Sequence, residues 1–150
     1  MNNVSFYQVN FRDVVEEVLP LMQLHFDEVS PFRHKEIFDP DVDMYLQLDG
    51  ANRLPFSVAK YKDKIIGYNV YSLMRHPHCK VSFAHQEVFY VLKEYRGKGV
   101  GRMLLEFSDM ELRMIGIKYV CNSFSAEFDE TGIIENNGCK LMDKLFIKEL

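Results

Sequence analysis

Residues 96–101 read Arg-Gly-Lys-Gly-Val-Gly and separate a strand-like apolar run at 82–92 from a helix-like run at 99–116. A chain punctuated in this way leaves a strand, turns sharply and enters a helix, which restricts it to folds with a strand–helix–strand crossover. Gly97, Gly99 and Gly101 stand at alternate positions, where the lack of a Cβ lets the backbone turn tightly and approach a ligand closely. The helix that follows begins with unpaired N–H groups at the positive end of its dipole. A glycine loop feeding a helix start is an anion cradle, most often for phosphates. Arg96, Lys98 and Arg102 add three cations within seven residues. The segment reads as a pyrophosphate holder, with a ligand-free strand-to-helix turn as the alternative.

Two common phosphate loops do not fit. A Walker A loop needs Lys-Ser or Lys-Thr after its last glycine, whereas Val100 and Arg102 flank Gly101 here. A Rossmann fingerprint needs Gly-x-Gly-x-x-Gly, and Gly101 arrives one residue early. The spacing Arg96-x-x-Gly99-x-Gly101 instead resembles the Arg/Gln-x-x-Gly-x-Gly/Ala motif of the GNAT acyltransferases, where it binds the pyrophosphate of coenzyme A.

The 150 residues suffice for one domain with a real core. A formal net charge of −4 argues against bulk nucleic-acid binding and mildly favours a cationic or amine partner. Cys79, Cys121 and Cys139 lack Cys-x-x-Cys spacing and are odd in number, which predicts a reducing, cytoplasmic setting. No apolar run approaches spanning length, so no membrane partner is expected.

The pattern predicts a strand at 4–9 and a helix from 13 to about 29, kinked or broken at Pro20. A loop follows at 31–40, then a short helix at 41–48 closed by Asp49-Gly50. Runs at 56–61 and 65–74 read as a hairpin, with Gly67 marking a bulge or a close backbone approach. Residues 75–80 are a loop and 82–92 a strand. The helix at 99–116 carries a polar stripe of Arg102, Glu106, Asp109 and Arg113, and Met103, Met110 and Met114 are expected in the core. A strand at 117–124, a weaker helix at 127–136 and a final hairpin at 139–147 complete the chain. The fold class is α+β, and this order of elements resembles the GNAT fold from end to end. The resemblance implies a mostly antiparallel twisted sheet of six to seven strands flanked by about four helices.

On the strand before the loop, His85, Glu87, Phe89 and Val91 alternate and are expected on one face. GNAT enzymes often carry a general base on this strand at about these offsets from the loop. The resemblance thus makes Glu87 the first choice for the base and His85 the second, with a strand-edge carboxylate paired with a nearby cation as the alternative for Glu87. It also implies that backbone groups of Phe89, Tyr90 and Val91 pair with pantetheine, and that Arg96, Gly97, Lys98, Gly99, Val100, Gly101 and Arg102 hold the pyrophosphate. His76-x-His78 is weak as a metal site and reads better as acceptor-site lining. A His-x-His followed by a strand and Arg-Gly is also similar to GNAT-like proteins of phages and prophages, which implies a host cytoplasm. Phe32, Phe38 and Tyr45 could shape an acceptor pocket, with core packing as the default.

One departure stands out. Many GNAT enzymes place a tyrosine four residues before a Gly-Phe pair as general acid for the thiolate; here the pair is Gly138-Cys139 and the position is Ile134. The thiolate leaves unassisted, or Tyr90 or a water protonates it, or catalysis is poor. The resemblance implies acetyl-CoA as cosubstrate, no metal, an amine-bearing small molecule or protein acceptor, and a monomer or homodimer. With no cysteine on the strand or loop, the amine is expected to attack the thioester directly. The rival expectation is a weak or inactive binding protein that acts through a partner.

Overall fold

The computed structural model describes residues 3–124 and 131–142. Strand β1 (Val4–Val9) leads into helices α1 (Phe11–Val29) and α2 (Val42–Gly50). The hairpin β2 (Phe56–Tyr61) and β3 (Lys64–Arg75) follows, then β4 (Ser82–Val91) and a 3-10 turn at Lys93–Tyr95. Helix α3 (Val100–Met114), β5 (Tyr119–Cys121) and α4 (Thr131–Asn136) come last. The strands form one sheet in the order β1-β2-β3-β4-β5, antiparallel except for the parallel β4–β5 pair. The described residues thus hold five strands rather than six to seven. Three helices have nine residues or more, and the fourth has six. The missing strands are those of the expected tail hairpin: 139–142 form no strand, and 143–147 lie outside the described residues.

Helix α1 buries Phe11, Val14, Val18, Leu21 and Met22, one stripe at helical spacing, and runs unbroken through Pro20. The expected break does not occur, because buried contacts on both sides of the proline hold the stripe on the sheet. Its N-cap, Asn10, makes no side-chain cap bond. The cap comes from α2: buried Asp49 accepts from Phe11 N–H at 3.1 Å and from Arg12 Nε at 2.7 Å. Asp49 is therefore a clasp between helices, and α2 extends through Gly50 instead of closing before it. Arg12 is half exposed and adds little. Asp49→Ala orphans the buried Phe11 N–H and should destabilise the fold by about 2 kcal/mol. Thermal denaturation should then record a midpoint lower by about 4–8 °C, and an unchanged midpoint would refute the cap.

Gly67 meets both readings made of it. A Cβ there would stand 2.9 Å from the Tyr90 carbonyl oxygen and 3.1 Å from Val91 Cγ2. The β2–β3 register also slips beside it, between Ala59 and Lys60. One face of the sheet carries α1 and α2, the other α3, which buries Val100, Leu104, Leu105, Ser108 and Leu112. Of the three methionines, Met103 is half-buried, whereas Met110 and Met114 are exposed, at 46% and 76%. Their positions fall beside the buried stripe, so the expected methionine core is corrected.

Candidate functional site

Strand β4 carries one residue more than β3 accommodates. Val70 opposes Val88 while Tyr71 opposes Gln86, so Glu87 is the extra residue of a β-bulge. One inserted residue reverses the faces taken by all that follow. His85 and Glu87 share the α1–α2 face with Tyr90, whose hydroxyl donates to Glu28 on α1 at 3.0 Å. Phe89 lies on the α3 face, where a Cβ on Gly101 would meet its ring at 3.3 Å. Val91 follows Phe89, so the expected common face of His85, Glu87, Phe89 and Val91 splits at the bulge.

Around Glu87 a small polar cluster forms. Ser72, opposite His85 on β3, donates from Oγ to Glu87 Oε1 at 2.5 Å. His85 Nδ1 stands 3.7 Å from the same oxygen, and the Glu87 side chain is 40% exposed, within reach of an incoming group. Tyr45 on α2 faces this charge; burial, and secondly Glu87, raise its phenol above the ordinary value. Tyr45 also packs on Phe11 at 5.1 Å and Phe38 on Phe26 at 5.7 Å, so both are core aromatics, whereas Phe32 is exposed.

Beyond the bulge no described strand pairs with the second edge of β4. β5 pairs with it only at Phe83, Ala84 and His85. Leu92 N–H donates to Ile66 O, which by antiparallel alternation makes 68/90 and 70/88 the bonded pairs with β3. The N–H and C=O of Phe89 and Val91 then point to the other edge, which no described strand pairs there, while those of Tyr90 belong to the ladder. Val91 O accepts from Arg96 Nε at 2.6 Å. The Phe89 ring meets Phe124 edge-on at 5.8 Å, lining the opening between β4 and β5.

The glycine loop closes this opening at the head of α3. Gly97 and Gly99 have φ of 68° and 81°, left-handed values that glycine adopts without strain. Gly99 is the N-cap of α3, and Met103 N–H to Gly99 O closes the first turn, leaving the N–H groups of Val100, Gly101 and Arg102 without helical partners. No described residue comes within 4 Å of a Cβ placed at Gly97. Of the cations, Lys98 Nζ donates to Glu94 O at 2.7 Å and Arg102 pairs with Glu106 at 2.9 Å on the surface, contacts that yield readily to a stronger anion. Arg96 is turned away onto Glu28.

His76 and His78 sit together in the β3–β4 turn, rings 5.6 Å apart. Three register steps separate Arg75/Ser82 from Ser72/His85, so the turn lies about 10 Å along the strands from the Glu87 cluster. Among the described residues no three His, Cys, Asp or Glu side chains converge as metal ligands would. Two surface clefts, of about 460 and 510 Å³, are lined by other residues, including Asp13 and Asp49 in one and Arg53 and Arg75 in the other.

Two residues here escaped the sequence reading. His25 stands four residues after Leu21 and three after Met22, and Glu28 seven after Leu21, so both continue the buried stripe of α1 at helical spacing. Polar groups on a core-facing stripe were the available signal. His25 Nδ1 lies 3.0 Å from Tyr68 Oη and its ring stacks on Tyr90 at 5.0 Å. Burial pushes its pKa down to about 4, which leaves it neutral near pH 7.

A bulged β4 parting from β5, with a glycine-led helix at the opening, defines a mixed α+β acetyltransferase fold. Residues 19–124 match the Acetyltransferase (GNAT) family, and the chain belongs to it. No curated protein matches the sequence. Among solved structures, an aminoglycoside acetyltransferase, meta-AAC0020, from an uncultured soil metagenomic sample superposes with a TM-score of 0.78 at 16% identity, over 99% of this chain and 97% of that one. Ribosomal-protein-alanine N-acetyltransferase from Brucella melitensis biovar Abortus 2308 gives 0.72 at 15% identity, over 98% and 99%. A predicted acetyltransferase with acetyl-CoA from Clostridium acetobutylicum gives 0.73 at 15%, over 97% and 96%. No helix among the described residues is long and apolar enough to cross a membrane.

Proposed function

We propose that this chain, as one domain spanning 1–150, is an N-acetyltransferase that moves the acetyl group of acetyl-CoA to a primary amine. The observation that carries the reading is the edge of β4 beside the α3 N-terminus, which no described strand pairs. There a polar strand edge for a pantetheine arm and an open ring of N–H groups for a pyrophosphate lie end to end. The loop fits that group: at Gly97 a side chain would enter open space that a ligand can occupy. In this reading the backbone from Gly97 to Arg102 binds the pyrophosphate, with Lys98 and Arg102 as cations, and the Phe89 and Val91 edge aligns the arm.

Acyl transfer then asks two things of the residues. The Phe89 N–H is placed to stabilise negative charge developing on the acetyl oxygen. A free amine is mostly protonated near neutral pH, with a reference pKa of about 10 for a lysine side chain. Glu87, held by Ser72, takes the amine proton as the C–N bond forms and the C–S bond breaks, with His85 as second candidate. The leaving thiolate gains a proton from water, since Ile134 offers none and the Tyr90 hydroxyl donates to Glu28. His76 and His78 line the outer acceptor approach.

The family's amine chemistry supports this reading. The aminoglycoside and ribosomal-protein enzymes above differ widely in acceptor, so small amines and protein amino groups are both candidate acceptors. The cytoplasm as site of action rests on cysteine usage, and a phage-type origin on the His-x-His and Arg-Gly resemblance. The rival, a binding protein with little turnover, has Ile134 as its one specific support. Calorimetry with acetyl-CoA, 3′-dephospho-CoA and ATP tests the cofactor: binding of the first two without ATP is expected, and no binding of acetyl-CoA overturns the reading. Amine-dependent thiol release then separates enzyme from binding protein.

A further inference from the structure

We propose that Glu28 on α1 is a positioning residue for the cofactor loop: it holds Arg96 as a strut, so that Arg96 supports acetyl-CoA binding through the loop backbone and not by touching the pyrophosphate. The inference rests on the acetyl-CoA reading above and adds to it a residue 68 positions from the loop in sequence.

The guanidinium of Arg96 is committed at all three nitrogens. Nε donates to Val91 O at 2.6 Å, Nη1 to Glu28 Oε1 at 2.6 Å and Nη2 to Glu28 Oε2 at 3.0 Å. Its plane also lies over the Tyr90 ring, 5.1 Å from the centroid. Glu28 in turn accepts from Tyr90 Oη at 3.0 Å, has Lys93 Nζ at 3.6 Å, and its side chain is only 15% exposed. A forked, partly buried pair of this kind is directional, and turning Arg96 outward would break three charge-assisted bonds together. The Arg96 hydrogen bond is the main influence holding the Glu28 carboxyl below its ordinary range, against the opposing effect of burial.

The loop needs such a strut because it has little packing of its own. Among the described residues nothing lies within 4 Å of the Cβ position of Gly97, and only Met103 Cε approaches that of Gly99, at 4.0 Å. Its position is set from its ends. Val100, 1% exposed, anchors the downstream end in the core, and the Arg96–Glu28 pair anchors the upstream end to α1.

Calorimetric acetyl-CoA affinities of the full chain, Glu28→Gln, Arg96→Lys and the double variant test this. Each single change should weaken binding about tenfold, and the double variant should be no weaker than the worse single, as for partners in one interaction. Arg96→Lys is the sharp case, since it keeps the charge and loses the fork. Two results overturn the strut in favour of direct contact: Arg96→Lys retaining wild-type affinity, or Glu28→Gln tightening binding by releasing Arg96. Unchanged affinity in Glu28→Gln with normal thermal unfolding refutes the role of Glu28 alone, while failure of the wild-type chain to bind acetyl-CoA refutes this inference together with the reading beneath it.

Discussion

Glu87→Gln should lower kcat by about a hundredfold to ten-thousandfold, the usual contribution of a positioned general base, while acetyl-CoA affinity stays within about twofold of wild type. The substitution is nearly isosteric and keeps an oxygen to accept from Ser72, so the β4 bulge and its neighbours are retained. In the proposed mechanism, what is lost is the group that accepts the amine proton. Glu87 sits on the α1–α2 face of β4, whereas the proposed cofactor loop lies at the α3 end, so the cofactor has no reason to sense the change. Steady-state rates beside calorimetric affinities decide the matter. Equal losses in both would assign Glu87 to binding or folding. Retained turnover in Glu87→Gln with a loss in His85→Gln would move the base to His85.

The bulge is also where the sequence misleads. Period-two alternation joins His85, Glu87, Phe89 and Val91 only if the strand is continuous, and His85-Gln86-Glu87-Val88 contains no glycine or proline to announce an extra residue. The interruption arises from pairing: β3 opposes β4 on both sides of Glu87 and leaves that residue over. The short β5 follows from the same region. Residues 117–124 read as one strand, yet parallel pairing stops at His85 and Cys121, before the bulge, so only Tyr119–Cys121 is strand. Local chemistry, in contrast, was legible. Asp41 caps α2 by accepting from Met44 N–H, Gly67 lies against β4, and the glycine loop begins α3 where expected.

Long-range partnerships were not legible. Asp49-Gly50 carries the composition of a helix terminator, and only the tertiary fold brings the Asp49 carboxylate to the start of α1. Asp109 reads as part of a solvated stripe, yet Asn137 donates to it at 3.0 Å and burial raises its carboxyl above the ordinary value. Of the helix expected at 127–136, Thr131–Asn136 is formed and 127–130 lie outside the described residues. Arg96 illustrates the general difficulty for the site. A motif gives the residue type and spacing, but the direction of a long cationic side chain depends on which carboxylate the fold supplies, here one on the first helix.

Gly99→Val should abolish measurable acetyl-CoA binding at concentrations that saturate the wild type, with the cooperative fold preserved. Gly99 holds φ 81° and ψ −1° as the N-cap of α3, a conformation that a β-branched residue adopts at a cost of about 1–3 kcal/mol. That strain predicts a thermal midpoint lower by roughly 2–12 °C, a bounded loss because Val100 and Leu104 still seat the helix in the core. Relaxing the strain rotates the backbone away from the left-handed region and turns the first N–H groups of α3 out of their common direction, while the isopropyl group occupies space a pyrophosphate would use. Binding and stability therefore respond on different scales, which distinguishes a ligand cradle from a turn needed only for chain reversal. If Gly99→Val lowers the midpoint as stated and binds acetyl-CoA as the wild type does, the glycines serve the turn and the pyrophosphate must be held elsewhere.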